Sequence, residues 1–213
     1  MTTWIVLRAA GIGAYVMLFL SVSWGLIATT GALGKRVSKA TAISVHQFMS
    51  TAGLLLLAVH IGGLLVDAFM PFGPGDVLIP GRSSFKAVPV AFGIVAMYSM
   101  VFVIVLSWLR KPIGTKWWRR SHLLAAPTFI LSMIHGVFSG TDSVRPAMWW
   151  TYASTGVIVL FLVVVRGLTV GFRPPRAAPP SAARRSATAT ADAEPEGGTP
   201  ADHVLLDPVG SSA

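Results

Sequence analysis

Five stretches of this sequence contain no Asp, Glu, Lys or Arg: Ala9 to Gly34, Ala40 to Val66, Ala87 to Leu109, Ser121 to Thr141 and Pro146 to Val165. Each is long enough to cross a bilayer, which takes about 20 residues as a helix. The expected fold is therefore an all-α membrane protein, a bundle of five transmembrane helices over about residues 5–29, 42–67, 87–109, 121–139 and 147–168. Composition points the same way. Hydrophobic residues make up 54% of the chain and charged residues 12%, about half the roughly 25% charge of soluble domains. Cysteine is absent, which excludes disulfides, iron–sulfur clusters, zinc–thiolate sites and haem attached through C-x-x-C-H. Any redox chemistry has to use a cofactor held without a covalent bond.

The net charge of +9 is a topology signal rather than a nucleic-acid signal, because the cations lie between the apolar spans and at their ends. Lys35, Arg36 and Lys39 fill the first connection, and Arg110, Lys111, Lys116, Arg119 and Arg120 fill the third. Arg173, Arg176, Arg184 and Arg185 follow the last span. The second connection mixes Asp67 and Asp76 with Arg82 and Lys86, and the fourth has only Asp142 and Arg145. The positive-inside rule then places the N-terminus outside the cell membrane and the C-terminus in the cytoplasm. The first span is read as a retained helix, since nothing basic precedes Arg8 and the apolar run is too long for a signal peptide.

Beyond residue 171 the sequence turns to Ala, Pro, Ser, Thr and Gly with scattered charge. Such a composition buries no core, so residues 1–171 are expected to form the helical domain and 172–213 a disordered cytoplasmic tail. The second connection holds Pro71, Pro74 and Pro80 with Gly73, Gly75 and Gly81, and reads as an interfacial turn or short strand-like segment. Trp117-Trp118 and Trp149-Trp150 precede the fourth and fifth spans, where indoles favour the headgroup zone. No glycine-rich phosphate loop occurs, so this chain is expected to have no flavin or nicotinamide domain; if it carries electrons, a separate donor, a flavoprotein reductase or quinone, must deliver them.

Four of the five histidines lie inside these spans, as two pairs: His46 with His60, and His122 with His135. An ionisable residue in lipid is costly and normally marks a pathway or a ligand. The intervals are fourteen and thirteen residues, so each pair spans roughly 20 Å along a helix rising about 1.5 Å per residue. Both helices run outward by the charge argument, which sets His46 level with His122 and His60 level with His135. Neutral imidazoles facing each other at two depths suit two bis-histidine haems. At about 100° per residue His60 falls within about 40° of His46, with Gly53 on the same face, where its missing side chain would leave room for a macrocycle or for a neighbouring helix. His135 falls about 140° from His122 in an ideal helix, and Pro127 between them is expected to distort the helix and realign the pair.

The segments H-Q-F-M-S-T-A-G-L-L-L-L-A-V-H, W-W-R-R-S-H-L-L-A-A-P-T-F-I-L-S-M-I-H-G and S-G-T-D, within His46 to Arg166, resemble the ferric reductase-like transmembrane domain of ferric reductases and NADPH oxidases. The chain is most similar to the short, stand-alone actinobacterial type. It departs from NADPH oxidases in having five expected spans rather than six and no fused flavin and nicotinamide domain. The resemblance implies that His46, His60, His122 and His135 are axial ligands to the iron of two non-covalent b haems, in a ferric reductase-like component that passes electrons to an unidentified external acceptor. Arg119 and Arg120 are then candidate contacts for a haem propionate, although topology alone accounts for them. The competing reading is a haem-free transporter in which the histidines form a proton or metal pathway. Other polar residues have plainer roles: Arg8 and Arg166 snorkel to the interface, Asp142 organises the turn after Ser139, and Met49 and Met133 pack.

Overall fold

The computed structural model describes residues 2–171 except 31–33, 35–36 and 69–71; the expected tail, with His203, lies outside them. The described residues form seven helices and no strand: α1 (Thr2–Thr30), α2 (Lys39–Val66), α3 (Pro74–Leu78), α4 (Ala87–Trp108), α5 (Arg110–His122), α6 (Ala125–Ser139) and α7 (Pro146–Gly171). Four of them, α1, α2, α4 and α7, are long and apolar enough to span a membrane alone, and α5 with α6 makes a fifth span if the bent pair is counted as one.

Apolar side chains cover the outside as well as the inside, as expected of helices solvated by lipid: Phe48 on α2 is 71% exposed. Lipid tails are as apolar as leucine, so these helices gain by close packing and hydrogen bonds rather than by burial from water. Glycines supply the close packing of α1 on α2. A Cβ on Gly63 would come 2.8 Å from Leu7 Cβ, and one on Gly53 would lie 3.3 Å from Met17 Cβ and 3.4 Å from Met100 Cε. Gly53 is thus a buried contact where α2 meets side chains of α1 and α4. The centre of the bundle is a cluster of Tyr15, Val22, Phe129 and Val159 from α1, α6 and α7. Phe129 is 1% exposed and stacks on Tyr15, whose hydroxyl is 2.5 Å from Thr155 Oγ1.

Contacts fix the directions. Residues near the start of α1 meet the end of α2, and residues near its end meet the start of α2, so the two are antiparallel. Pro89 at the start of α4 meets His135 near the end of α6, whereas Thr29 near the end of α1 meets Arg166 near the end of α7. Helices α1, α4 and α7 therefore run one way and α2 and α6 the other.

The fourth expected span differs most from its sequence outline. Its apolar helix begins at Ala125 and is bent 45° from the basic α5. The cause is Pro127, which has no N–H for the carbonyl of Leu123 and whose ring crowds it. One turn before the proline the backbone tightens, with Leu123 N–H donating to Arg120 O and Leu124 N–H to Ser121 O. The break falls between His122 and His135, where distortion was expected. Within α5, Gly114 has φ 79° and ψ 157°, a conformation open to glycine and strained for other residues. The second connection is helical in part: Pro74 starts α3, a position that proline suits, and the Asp76 carboxylate accepts from Gly73 N–H at 2.9 Å.

Candidate functional site

The four intramembrane histidines meet two by two, at two depths. His46 and His122 lie with ring centroids 5.8 Å apart. Their planes are inclined by 63°, an edge-on arrangement. His60 and His135 line one cavity of about 250 Å³ between α1, α2, α4 and α6, with the α6–α7 connection also in its lining. Among the described residues no three of His, Cys, Asp or Glu are drawn together as a metal cluster; the histidines come as pairs.

Three of the rings are held in one way. His60 Nδ1 donates to Leu7 O at 2.8 Å, His46 Nδ1 to Ser21 O at 3.1 Å, and His135 Nδ1 to Pro89 O at 2.9 Å. A carbonyl can only accept, so in each neutral ring the proton sits on Nδ1 and the free lone pair on Nε2, the nitrogen then available to a metal. Each carbonyl belongs to a helix, and the residue four places on, whose N–H shares that carbonyl, is a glycine: Gly11, Gly25 and Gly93. A Cβ would meet His60 Nδ1 at 2.8 Å from Gly11, His135 Nδ1 at 2.5 Å from Gly93, and His46 Cε1 at 3.4 Å from Gly25. The missing side chains let an imidazole lie against a helix and reach its backbone. Around His46 the hold is extended by Ser21 Oγ, 2.7 Å from Ser50 Oγ, with Ser50 donating to His46 O.

His122 is the exception. Its Nδ1 is buried and, among the described residues, has no hydrogen-bond partner. The ring rests on Trp118, with centroids 5.2 Å apart and planes 31° from parallel. Trp118 donates to Ser107 Oγ at 3.3 Å and carries the Arg110 guanidinium 4.2 Å over its ring. The tandem tryptophans therefore divide: Trp117 is exposed, as an interface anchor is, and Trp118 is turned inward against a histidine. Arg119 and Arg120 are both exposed, with the Arg120 guanidinium 5.4 Å over the Trp117 ring.

Arg8 has a place that its sequence context concealed. It lines the cavity of His60 and His135 and forms an ion pair with Asp142, which also pairs with Arg145 at 3.2 Å. The pair joins α1 to the α6–α7 connection across the cavity mouth, and both side chains are half-buried. Arg166 reaches Thr29 O at 3.4 Å, tying α7 to α1 at the opposite end. Arg8 and the three glycines are the elements of the site that residue-type reasoning missed. The signal was present in α1, where Gly11 and Gly25 repeat the fourteen-residue interval of His46 and His60.

The ion pair yields a test of its own. A double-mutant cycle of Arg8→Ala and Asp142→Ala, read by thermal unfolding in detergent, should give a coupling of roughly 0.5–3 kcal/mol, the range for residues in one salt-bridge network. Additive losses would mean that the two do not hold the mouth closed. No family model, curated protein or solved structure matches this chain.

Proposed function

We propose that this chain is a di-haem b-type membrane cytochrome that carries single electrons across the bilayer, as the membrane component of a ferric reductase-like oxidoreductase. The observation that carries the reading is the meeting of four intramembrane histidines in two pairs at two depths, three with Nδ1 committed to a helix carbonyl. His46 and His122 would hold one haem, and His60 and His135 the other. Bound between two imidazoles, haem would supply a one-electron iron couple.

Features of this chain fit that group. The buried, unpartnered Nδ1 of His122 is an expensive arrangement for a packing residue. The glycines opposite His60 and His135 form a cradle that a Cβ would fill. The carbonyls of Leu7, Ser21 and Pro89 hold the rings in one tautomer and orientation. Apolar walls at the His60–His135 cavity exclude water, and Arg8, held by Asp142, gives it one cation suited to a carboxylate such as a propionate. By the distribution of Lys and Arg, the N-terminus is outside, the C-terminus is cytoplasmic, and the His46–His122 pair is on the cytoplasmic side. Electrons would enter there from a separate flavoprotein reductase or quinone and leave past the outer pair to an external acceptor.

The deciding experiment is a reduced-minus-oxidised absorption spectrum of purified protein with haem quantified after acid–acetone extraction. About two extractable, low-spin haems per chain are expected, since each iron would have two protein ligands. Haem near zero after expression with ample haem supply would overturn this reading in favour of a haem-free proton or metal pathway.

A further inference from the structure

A second site lies on the lipid-facing side of α4 and α5. Phe102 and Leu106 of α4, with Ile113, Trp117, Arg120 and Ser121 of α5, line an open groove. The groove exists because the chain turns back on itself: Gly114 takes its left-handed φ, and the second part of α5 returns along the end of α4. Its walls are apolar and face outward, Phe102 being 49% and Trp117 64% exposed.

The polar component is of one sign. Helix α5 contributes Arg110, Lys111, Lys116, Arg119 and Arg120 and has no acidic residue. Among these, Arg120 lies at the groove itself, its guanidinium 5.4 Å from the centroid of the Trp117 ring. An apolar slot ending at a guanidinium, an indole and a serine hydroxyl has the chemistry of a diacyl lipid with an anionic phosphate head: chain against Phe102, Leu106 and Ile113, phosphate at Arg120.

Depth decides between a lipid and an acidic protein. Phe102 lies six residues before the end of α4 at Trp108, about 9 Å along the helix axis. A chain lying there is within the hydrocarbon layer, which a soluble acidic partner cannot enter and an acyl chain already occupies. We infer that the α4–α5 groove is a binding site for one anionic phospholipid, with Arg120 as its phosphate contact. This inference does not use the histidines, and it gives Arg120 a partner other than a haem propionate.

The test uses the full chain, purified in mild detergent and equilibrated with equal amounts of phosphatidylglycerol and phosphatidylcholine. Native mass spectrometry then reads the lipids retained per chain. One phosphatidylglycerol retained at least about tenfold over phosphatidylcholine is expected, because both carry the phosphate but the choline cation of the second is repelled by Arg120 and the other cations of α5. Arg120→Gln should remove that preference and Arg120→Lys should keep most of it. Lys111→Gln, with the same loss of charge on the same helix, should leave it intact. Ile113→Trp, which fills the groove without altering charge, should displace the lipid. Helix content by circular dichroism and elution volume establish that each variant is folded; should Arg120→Gln fail to fold, Ile113→Trp and Arg120→Lys carry the comparison. Equal retention of the two lipids, or equal losses in Arg120→Gln and Lys111→Gln, would overturn the proposal. So would a gain of phosphatidylglycerol on removing residues after Arg176, because the occupant would then be the chain's own terminal segment.

Discussion

Alanine at His60 or at His135 is expected to remove the same half of the haem and to abolish electron transfer to an external acceptor. The haem that remains should still be reduced from the cytoplasmic side. The two rings line one cavity, so on the proposed reading loss of either imidazole would leave a haem iron there with a single protein ligand. His46→Ala and His122→Ala should form the other matched pair: reduction by a cytoplasmic donor would fail, while a membrane-permeant reductant would still reach the haem proposed at the other pair. The measurements are haem per chain, the reduced spectrum, and reduction kinetics with donors confined to one side of proteoliposomes. The grouping is the sensitive part. If His46→Ala paired with His135→Ala, and His60→Ala with His122→Ala, the parallel course of α2 and α6 would have to be given up.

The second large effect is expected from a methyl group. Gly93→Ala puts a Cβ 2.5 Å from His135 Nδ1, closer than carbon and nitrogen can stand, with a packed ring on one side and helix backbone on the other. The ring must leave Pro89 O, and overpacking of this kind costs about 1–3 kcal/mol. Purified Gly93→Ala should therefore resemble His135→Ala in haem content and spectrum while still inserting into membranes. Gly11→Ala, at 2.8 Å from His60 Nδ1, should follow it. Gly25→Ala, at 3.4 Å from His46 Cε1, should stay close to wild type, because that distance borders ordinary contact. Full haem content in Gly93→Ala would mean that the outer site does not depend on the Pro89 hydrogen bond.

Much of this architecture was legible in the sequence, and the gaps have physical causes. Long charge-free runs declare themselves, since their length and apolarity leave little choice of structure in lipid, and α1, α2, α4 and α7 lie where those runs predict. The pairing of histidines by depth followed from direction and interval alone. The divided fourth span did not, although Pro127 signalled a distortion. A proline's position fixes which hydrogen bond is lost, not whether the helix bends gently or opens into a tight turn at Leu123–Leu124. Reading Pro74 as a breaker missed α3, because the same ring that ends a helix also starts one, and Asp76 two residues on decides between them. Arg8 was assigned to the interface by its closeness to a helix end, and its partner Asp142 stands far away in the sequence. Such long-range pairings are invisible to any local pattern. The role of the glycines was hidden for the same reason: each depends on a ring carried by another helix.

Helix α1 bears none of the four histidines, yet it holds two of them, through Leu7 O and Ser21 O. Those carbonyls are fourteen residues apart, as are their histidines on the antiparallel α2. The interval is thus written twice, once in a helix that supplies rings and once in a helix that supplies their supports. A single residue inserted between Leu7 and Ser21 would turn the second support about 100° and shift it about 1.5 Å. Nothing on α2 would follow. Among chains built on this plan, length changes in the two helices should therefore occur together or not at all, and the first helix acts as the template against which the histidine-bearing helix is measured.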